Sequence, residues 1–238
     1  MSSTLFISDL HLDAARPAVT RALADFLLKH STCNALYILG DLFESWIGDD
    51  DDAALAQELR SLLKRFSANG PELYIMQGNR DFLLGRSFCD DTGAHLLPDP
   101  SVIDLYGTPA LLMHGDSLCT ADSEYQAFRQ RARDPQWQQQ ILQQPLPQRR
   151  ELARQLRGMS KAANSNKPAD IMDVTPDEVE NSLRHHAVRQ LIHGHTHRPA
   201  CHQHAAGTRW VLGDWDSLGW VIEASEEDIN LYNFDIIQ

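Results

Sequence analysis

No apolar run in this 238-residue chain approaches the ~18 residues that a membrane-spanning helix needs. The opening stretch, Met1 to Asp9, has neither a basic start nor an extended apolar core, so no secretory leader is expected and the cytoplasm is the default compartment. Cysteine is scarce: Cys33, Cys89, Cys119 and Cys201 are widely spaced and form no C-x-x-C pair. That excludes a zinc ribbon, and the four are read as free thiols in packing or surface roles. Positive charge is also short. Lys and Arg number 21 against 33 Asp and Glu, a net charge of −12, which argues against holding nucleic acid by broad electrostatics. There is no internal repeat. The acidic run Asp49–Asp52 lacks the spacing of an EF-hand loop and is read as a solvated helix start.

What is present suits a soluble globular protein, with enough length for one large domain or one domain carrying an insert. Short apolar runs predict strands over 4–8, 35–39, 73–76, 110–113 and 190–192. Helical spacing of apolar residues predicts helices over 17–30 and around Leu55–Phe66. The chain ends in strand patterns over 209–212, 220–224 and 229–234, with Trp210, Trp215 and Trp220 read as core. This alternation predicts an α/β layered fold with a mixed sheet or two sheets flanked by helices. One stretch breaks the rhythm. Between Arg129 and Lys167 lie nine basic residues and two acidic ones, so this segment carries +7 and the remainder −19. It predicts a helical insert over 123–171 standing off a core made of 1–122 and 172–238.

Each apolar run ends in a polar cluster: Asp9-Leu10-His11, Gly40-Asp41, Gly78-Asn79-Arg80-Asp81, His114-Gly115-Asp116 and His193-Gly194-His195-Thr196-His197. In open α/β sheets, sites gather at the carboxyl ends of strands, so the five clusters are expected to converge. Residues i and i+2 of an extended segment face one side, so Asp9 with His11, and His195 with His197, each present two donors together. Carboxylates and imidazoles bind hard to borderline divalent ions. One Asp-x-His means little; five such clusters in this order carry weight. The other histidines (His30, His95, His185, His186, His202 and His204) are read as ordinary surface or core residues, with His193 ambiguous because it abuts Gly194.

Block by block, Asp9-x-His11, Gly40-Asp41-x-x-Glu44, Gly78-Asn79-Arg80-Asp81, His114-Gly115-Asp116 and Gly194-His195-x-His197 resemble the signature of the calcineurin-like metallophosphoesterases. Within that superfamily, the segments around those blocks and Ser160–Lys167 of the insert are most similar to the UDP-2,3-diacylglucosamine hydrolases of lipid A biosynthesis. The resemblance implies a metallophosphoesterase core with a helical cap. It implies two divalent ions, Mn²⁺ by preference: Asp9, His11, Asp41 and His197 around one, Asp41, Asn79, His114 and His195 around the other. Asp41, Asn79, Arg80 and His195 would act in catalysis, and Asn79, Arg80, Asp122, Ser160, Asn164, Lys167 and His195 would touch substrate, with Tyr125 as a pocket wall. Glu44 and Asp81 are read as residues that orient the ligands.

The reaction implied is hydrolysis of the lipid-linked UDP-sugar to UMP and 2,3-diacylglucosamine 1-phosphate, with water attacking the α-phosphorus. Arg80 supports that reading on chemical grounds. Many relatives carry His at this position, which can protonate an alkoxide leaving group; arginine stays charged and instead clamps phosphate with its fork of donors. A phosphate monoester leaving from a diphosphate needs no such proton. In the insert, Arg149, Arg150, Arg154 and Arg157 alternate with Leu146, Leu152, Leu156 and Met159, a pattern that suits peripheral contact with an anionic inner-membrane surface on its cytoplasmic face. The same pattern also fits a leucine stripe packed on the core beneath a charged outer face. No nucleic acid and no obligate protein partner are expected. Alternatives left open are a broader dinuclear-metal phosphodiesterase or a hydrolase of soluble nucleoside-diphosphate sugars, a non-catalytic scaffold that has this fold, and a membrane module.

Overall fold

The computed structural model describes residues 3–164 and 171–237. Four strands, β1 (Thr4–Ile7), β2 (Ala35–Leu39), β3 (Glu72–Met76) and β4 (Ala94–Leu97), run parallel. They are linked by α1 (Pro17–Lys29), α2 (Ala54–Ala68) and α3 (Arg86–Thr92). Side chains alternate along each strand. Leu5, Ile7, Leu36, Ile38, Leu73 and Ile75 meet Leu23, Phe26, Leu59 and Leu63 of the helices. Their neighbours Phe6, Tyr37, Leu39 and Met76 face the other way, onto a second sheet.

The second sheet holds β5 (Ser101–Leu105) and β6 (Thr108–Leu112) as an antiparallel pair, then β7 (Gln190–His193), β9 (Thr208–Val211) and β8 (Ala200–Gln203) in that spatial order. β6, β7 and β9 are mutually parallel. The last two strands, β10 (Leu218–Ala224) and β11 (Ile229–Asp235), return to the first sheet and pair antiparallel beside β1. Ala110, Leu112, Ile192 and Leu212 fill the space between the sheets, while Leu111, Met113 and Leu191 pack on Val179 and Leu183 of α7 (Pro176–His185). Two mixed sheets therefore stack face to face with helices outside each, as the alternation predicts. The tail is less simple than expected: the β8 edge strand was not anticipated, and Trp215 is fully buried between Phe26 and Phe234 but in a loop. Trp210 and Trp220 are only half-buried.

The insert forms α4 (Ser123–Ala132), α5 (Pro135–Leu142) and α6 (Leu146–Asn164). It does not stand off the core as the sequence suggests. Ala132 and Ile141 are buried in the helix-side cluster, with Phe128, Trp137, Leu152 and Leu156 packed against it. The run Asp49–Asp52 lies at the start of α2, as expected, with Asp50 and Asp52 largely exposed and Asp51 accepting from Ala53 N (3.2 Å), but three of its residues also hold the insert. Asp49 accepts from Trp46 Nε1 (3.1 Å), Gly85 N (2.9 Å) and Phe88 N (3.1 Å). Asp50 binds Arg149, whose guanidinium also donates to the Ile47 carbonyl (2.6 Å) and, through Nε, to that of Gln144 (2.8 Å). Asp51 and Asp52 both hold Arg150. Of the four arginines of α6, Arg149 is thus turned inward, Arg157 pairs with Glu44, Arg150 with Asp51 and Asp52, and Arg154 with Glu151 on the same helix. The second of the two readings of this helix, a leucine stripe on the core, matches the packing of Leu152 and Leu156.

Arg149→Ala removes a buried donor from three acceptors, and we expect a loss of about 2 kcal/mol in denaturant unfolding. Faster hydrogen exchange across 123–164 should accompany it. Arg154→Ala, exposed to solvent, should leave both measurements unchanged.

Candidate metal centre

The loops that follow β1, β2, β3, β6 and β7 meet at one edge and are stitched together by their own backbones. Asp9 N donates to Gly40 O (3.1 Å), His11 N to Asp41 O (3.0 Å), and Gly194 N to His114 O (2.9 Å). Five of the seven expected ligands, Asp9, His11, Asp41, His195 and His197, hold left-handed backbone with φ of 49° to 66°. Such conformations cost on the order of 1–3 kcal/mol each for a residue with a side chain and persist only where the surroundings enforce them. Asp81 supplies part of that enforcement: its buried carboxylate accepts from the N–H groups of Gly78 (2.6 Å), Asp41 (3.3 Å), Leu42 (2.8 Å) and Phe43 (3.5 Å), tying two loops together. Close approach does the rest. A Cβ on Gly78 would overlap the Asp41 carboxylate, and one on Gly194 would overlap Asp9 and Ser8.

Seven donor side chains converge as two overlapping groups. In the first, Asp9 Oδ1 lies 3.3 Å from His197 Nε2 and 4.0 Å from His11 Nε2, and the two imidazole Nε2 atoms are 3.2 Å apart. In the second, Asn79 Oδ1 is 2.9 Å from His114 Nε2 and 2.8 Å from His195 Nδ1, with Asp41 Oδ1 3.8 Å from His114 Nε2. Asp41 lies between them, its Oδ2 3.9 Å from His11 Nδ1. Donors held ~2.0–2.2 Å from one ion sit roughly 3–3.5 Å from each other, so these spacings suit a divalent cation.

The donor set fits a metal on a second ground. Asp9 Oδ2 accepts from Ser8 Oγ (2.5 Å) and His195 N (2.9 Å), leaving Oδ1, the oxygen that faces His197 and His11, buried and without a hydrogen-bond partner. Buried polar atoms without partners are costly, and ligand atoms awaiting a cation account for them. His114 Nδ1 faces the Leu39 carbonyl at 2.9 Å, the outer contact that orients a ligating imidazole and turns its Nε2 toward the ion.

Electrostatics sort the ligands by proton demand. Burial, with the Arg80 guanidinium nearby, pushes His11 down to about 2; burial and His114 push His195 down to about 4. Burial also opposes charge on His114, but the carboxylates of Asp41, Asp116 and Asp9 outweigh it and lift that ring to about 9. Burial lifts Asp41 to about 7, with Asp81 and Asp9 adding to the rise. Asp9, although buried, is held well below the usual carboxylate range by its bond to His197 and the surrounding imidazoles.

Arg80 sits at the rim. Its N–H donates to Asp41 Oδ1 (2.8 Å), and its guanidinium pairs with Glu44, not with the adjacent Asp81. Glu44 also accepts from Arg157 Nε (2.9 Å), so its role is to gather two guanidinium groups beside the ligands. From Asn79 and Arg80 a cavity opens between core and insert, walled by Trp46, Ile47, Phe82, Phe128, Leu152 and Leu156, and Ser160 and Tyr125 also line it. Tyr125 stacks near His195, with ring centres 5.6 Å apart, and donates its hydroxyl to Asp116 Oδ2 (2.8 Å). Asp122 does not line the cavity; its carboxylate caps α4 at Tyr125 N (3.0 Å). Lys167 and the side chain of Asn164 lie outside the described residues. His193 is no ligand: Nδ1 faces Gly194 O (2.8 Å) and Nε2 faces Arg209 (3.3 Å). Sequence reasoning missed Asp214, whose carboxylate lies 3.6 Å from His197 Nδ1; its signal is its place just after a strand, beside Gly213.

A proton count tests this site. His114, pushed up to about 9, and Asp41, pushed up to about 7, would each have a proton to release on coordinating a metal, whereas His11 and His195 are pushed toward the neutral form. Divalent-ion affinity should therefore rise between pH 6 and 9, and calorimetry in buffers of different ionisation enthalpy should record proton release near pH 7. Affinity flat across that range would contradict the assignment of His114.

Comparison with known proteins agrees with this geometry. A family model described as calcineurin-like phosphoesterase matches residues 2–199. A curated protein of Cellvibrio japonicus named UDP-2,3-diacylglucosamine hydrolase is 54% identical over 98% of this chain and all of its own length. One of the same name from Marinobacter nauticus is 54% identical over 94% of both chains. A solved archaeal phosphodiesterase shares the fold at 11% identity, with a TM-score of 0.52 over 98% of this chain and 99% of its own. Strand-end loops carrying Asp, Asn and His donors, and a matching family model over most of the sequence, lead to one conclusion: this chain belongs to the calcineurin-like phosphoesterase family.

Proposed function

We propose that the protein hydrolyses the diphosphate bond of UDP-2,3-diacylglucosamine, releasing UMP and 2,3-diacylglucosamine 1-phosphate as a step of lipid A biosynthesis. The observation that carries this reading is the apolar cavity running directly from Asn79 and Arg80 into the insert. A charged head and a long apolar tail are thereby accommodated side by side, which a soluble sugar nucleotide or a generic phosphodiester does not require. The names of the relatives at about half identity over nearly the full chain support the same substrate.

Two divalent ions, Mn²⁺ by preference, are assigned to the two donor groups with Asp41 shared. When bound they supply Lewis acidity toward phosphoryl oxygens and a source of hydroxide at neutral pH. The chain's own residues do the rest. Arg80 places a permanent cation 3.7 Å from Asp41 Oδ2, where it can clamp the diphosphate and stabilise charge as the bond to the leaving phosphate breaks. It donates no proton to that phosphate, and none is needed. Asn79, which lines the cavity, and His195, whose Nδ1 lies 2.8 Å from Asn79 Oδ1, are assigned to substrate from the ligand side, and Ser160 from the insert. Tyr125, whose hydroxyl is held well above its ordinary value by burial and by Asp116, stays protonated and forms a wall beside His195. Asp122, which fixes the start of α4, is assigned with them to the substrate.

No helix among the described residues is long and apolar enough to cross a membrane. We place peripheral contact with the inner-membrane surface at the cavity rim, where Met159 is 68% exposed, and not on the arginines, which are engaged with carboxylates.

An assay with Mn²⁺ should release UMP from UDP-2,3-diacylglucosamine far faster than p-nitrophenol from bis-p-nitrophenyl phosphate. Arg80→Gln should fold and bind metal normally yet lose about 10²–10³-fold in kcat/KM, the usual cost of one donor aimed at developing charge. Equal turnover of both substrates by the natural protein would return the reading to a broad phosphodiesterase.

A further inference from the structure

Helix α4 presents one face to two ligand-bearing loops. Tyr125, Arg129 and Arg133 recur at a spacing of four, so they lie along one side of the helix. Arg133 spans the gap to the loop before Asn79: Nη1 donates to Gln77 Oε1 (3.0 Å), and Nη2 to the carbonyls of Gln77 (3.1 Å) and Gly78 (3.1 Å). Arg129 reaches the turn after His114, its Nε 3.0 Å from Asp116 Oδ1, and its Nη2 lies 3.4 Å from Asp99 Oδ2. Asp116 also accepts from Tyr125, and its carbonyl accepts from Gln126 Nε2 (2.8 Å). Asp99 in turn accepts from His114 N (3.3 Å).

These contacts are selective. Asn79 and His114 belong to the second donor group only, and both are reached by α4 through a neighbour one to two residues away. The first group, by contrast, rests on the loops after β1 and β7, which are held by backbone pairs to the neighbouring site loops, Asp9 N to Gly40 O, His11 N to Asp41 O and Gly194 N to His114 O. We infer that Arg133, with Arg129, is a positioning residue for the second metal: it fixes the Gln77–Gly78 backbone and thereby the separation of Asn79 Oδ1 from His114 Nε2. The insert then does more than cover the substrate's tail, because its docked position sets occupancy of one of the two ions. The proposal rests on the assignment of Asn79 and His114 as ligands, though not on the identity of the organic substrate.

Loss of an outer partner that orients a ligand typically weakens metal binding about 10–100-fold. In Arg133→Gln, equilibrium dialysis of the full chain against Mn²⁺ should show one site near its natural affinity and a second weakened at least tenfold. The concentration of Mn²⁺ needed for half-maximal activity should rise in step, while kcat at saturating Mn²⁺ and KM stay close to the natural values. Arg133→Lys, which can still donate to the two carbonyls, should recover much of the loss. Arg131→Gln, whose guanidinium lies over Trp137 within the insert, should leave both sites unchanged. If Arg133→Gln does not fold, Arg129→Gln supplies the same readout through Asp116. Unaltered affinity at both sites, or equal weakening of both, would overturn the inference. Failure of the natural protein to release UMP from the lipid substrate would overturn the proposed function and leave this result intact.

Discussion

The carboxylate of Asp41 lies buried where five loops meet, close to Asp9, Asp81 and the imidazoles of His11 and His114. Burial pushes the Asp41 carboxyl above its ordinary range, and the neighbouring carboxylates, outweighing burial, push the His114 imidazole above its own, so each favours its protonated form. A divalent cation held here would lower both demands for a proton together, because its charge would satisfy the anions and the unpartnered Oδ1 of Asp9. The rest of the architecture is arranged to keep these donors within a few ångströms of each other.

That arrangement follows from the strands. Two stacked sheets bring several chain ends to one edge, and the tight left-handed turns at Asp9, His11, Asp41, His195 and His197 aim side chains into a shared space. The strain is stored locally and opposed by the Asp81 hydrogen bonds, by loop-to-loop backbone pairs and by the overlap that any Cβ would meet at Gly78 and Gly194. The insert completes the site from outside. Its apolar face extends the core, Asp49–Asp52 and their arginines hold it on one side, and α4 grips the ligand loops on the other.

Much of this was legible in the sequence, and what escaped did so for physical reasons. Strand ends such as Leu36–Asp41 show a buried apolar run breaking into a ligand at a glycine, a signal that survives without any alignment. β8 is exposed at three of its four positions, so it carries no alternation to detect. α7 buries only Val179 and Leu183, too few apolar residues for a clear stripe. The acidic run at Asp49–Asp52 showed only its helix-start side, because the arginine partners of Asp50, Asp51 and Asp52 lie about a hundred residues away. The grip of Arg133 on Gln77 and Gly78 was invisible for the same reason: backbone carbonyls leave no mark in a sequence. Asp122, expected at the substrate, has a second part that the sequence did not show, capping α4 at Tyr125 N.

The most direct test is anomalous diffraction at the manganese edge from crystals equilibrated with Mn²⁺. Two peaks ~3.5–4 Å apart should flank Asp41, one among Asp9, His11 and His197 and the other among Asn79, His114 and His195. A single peak, or none within this cluster at saturating Mn²⁺, would contradict the shared-aspartate centre on which the account stands.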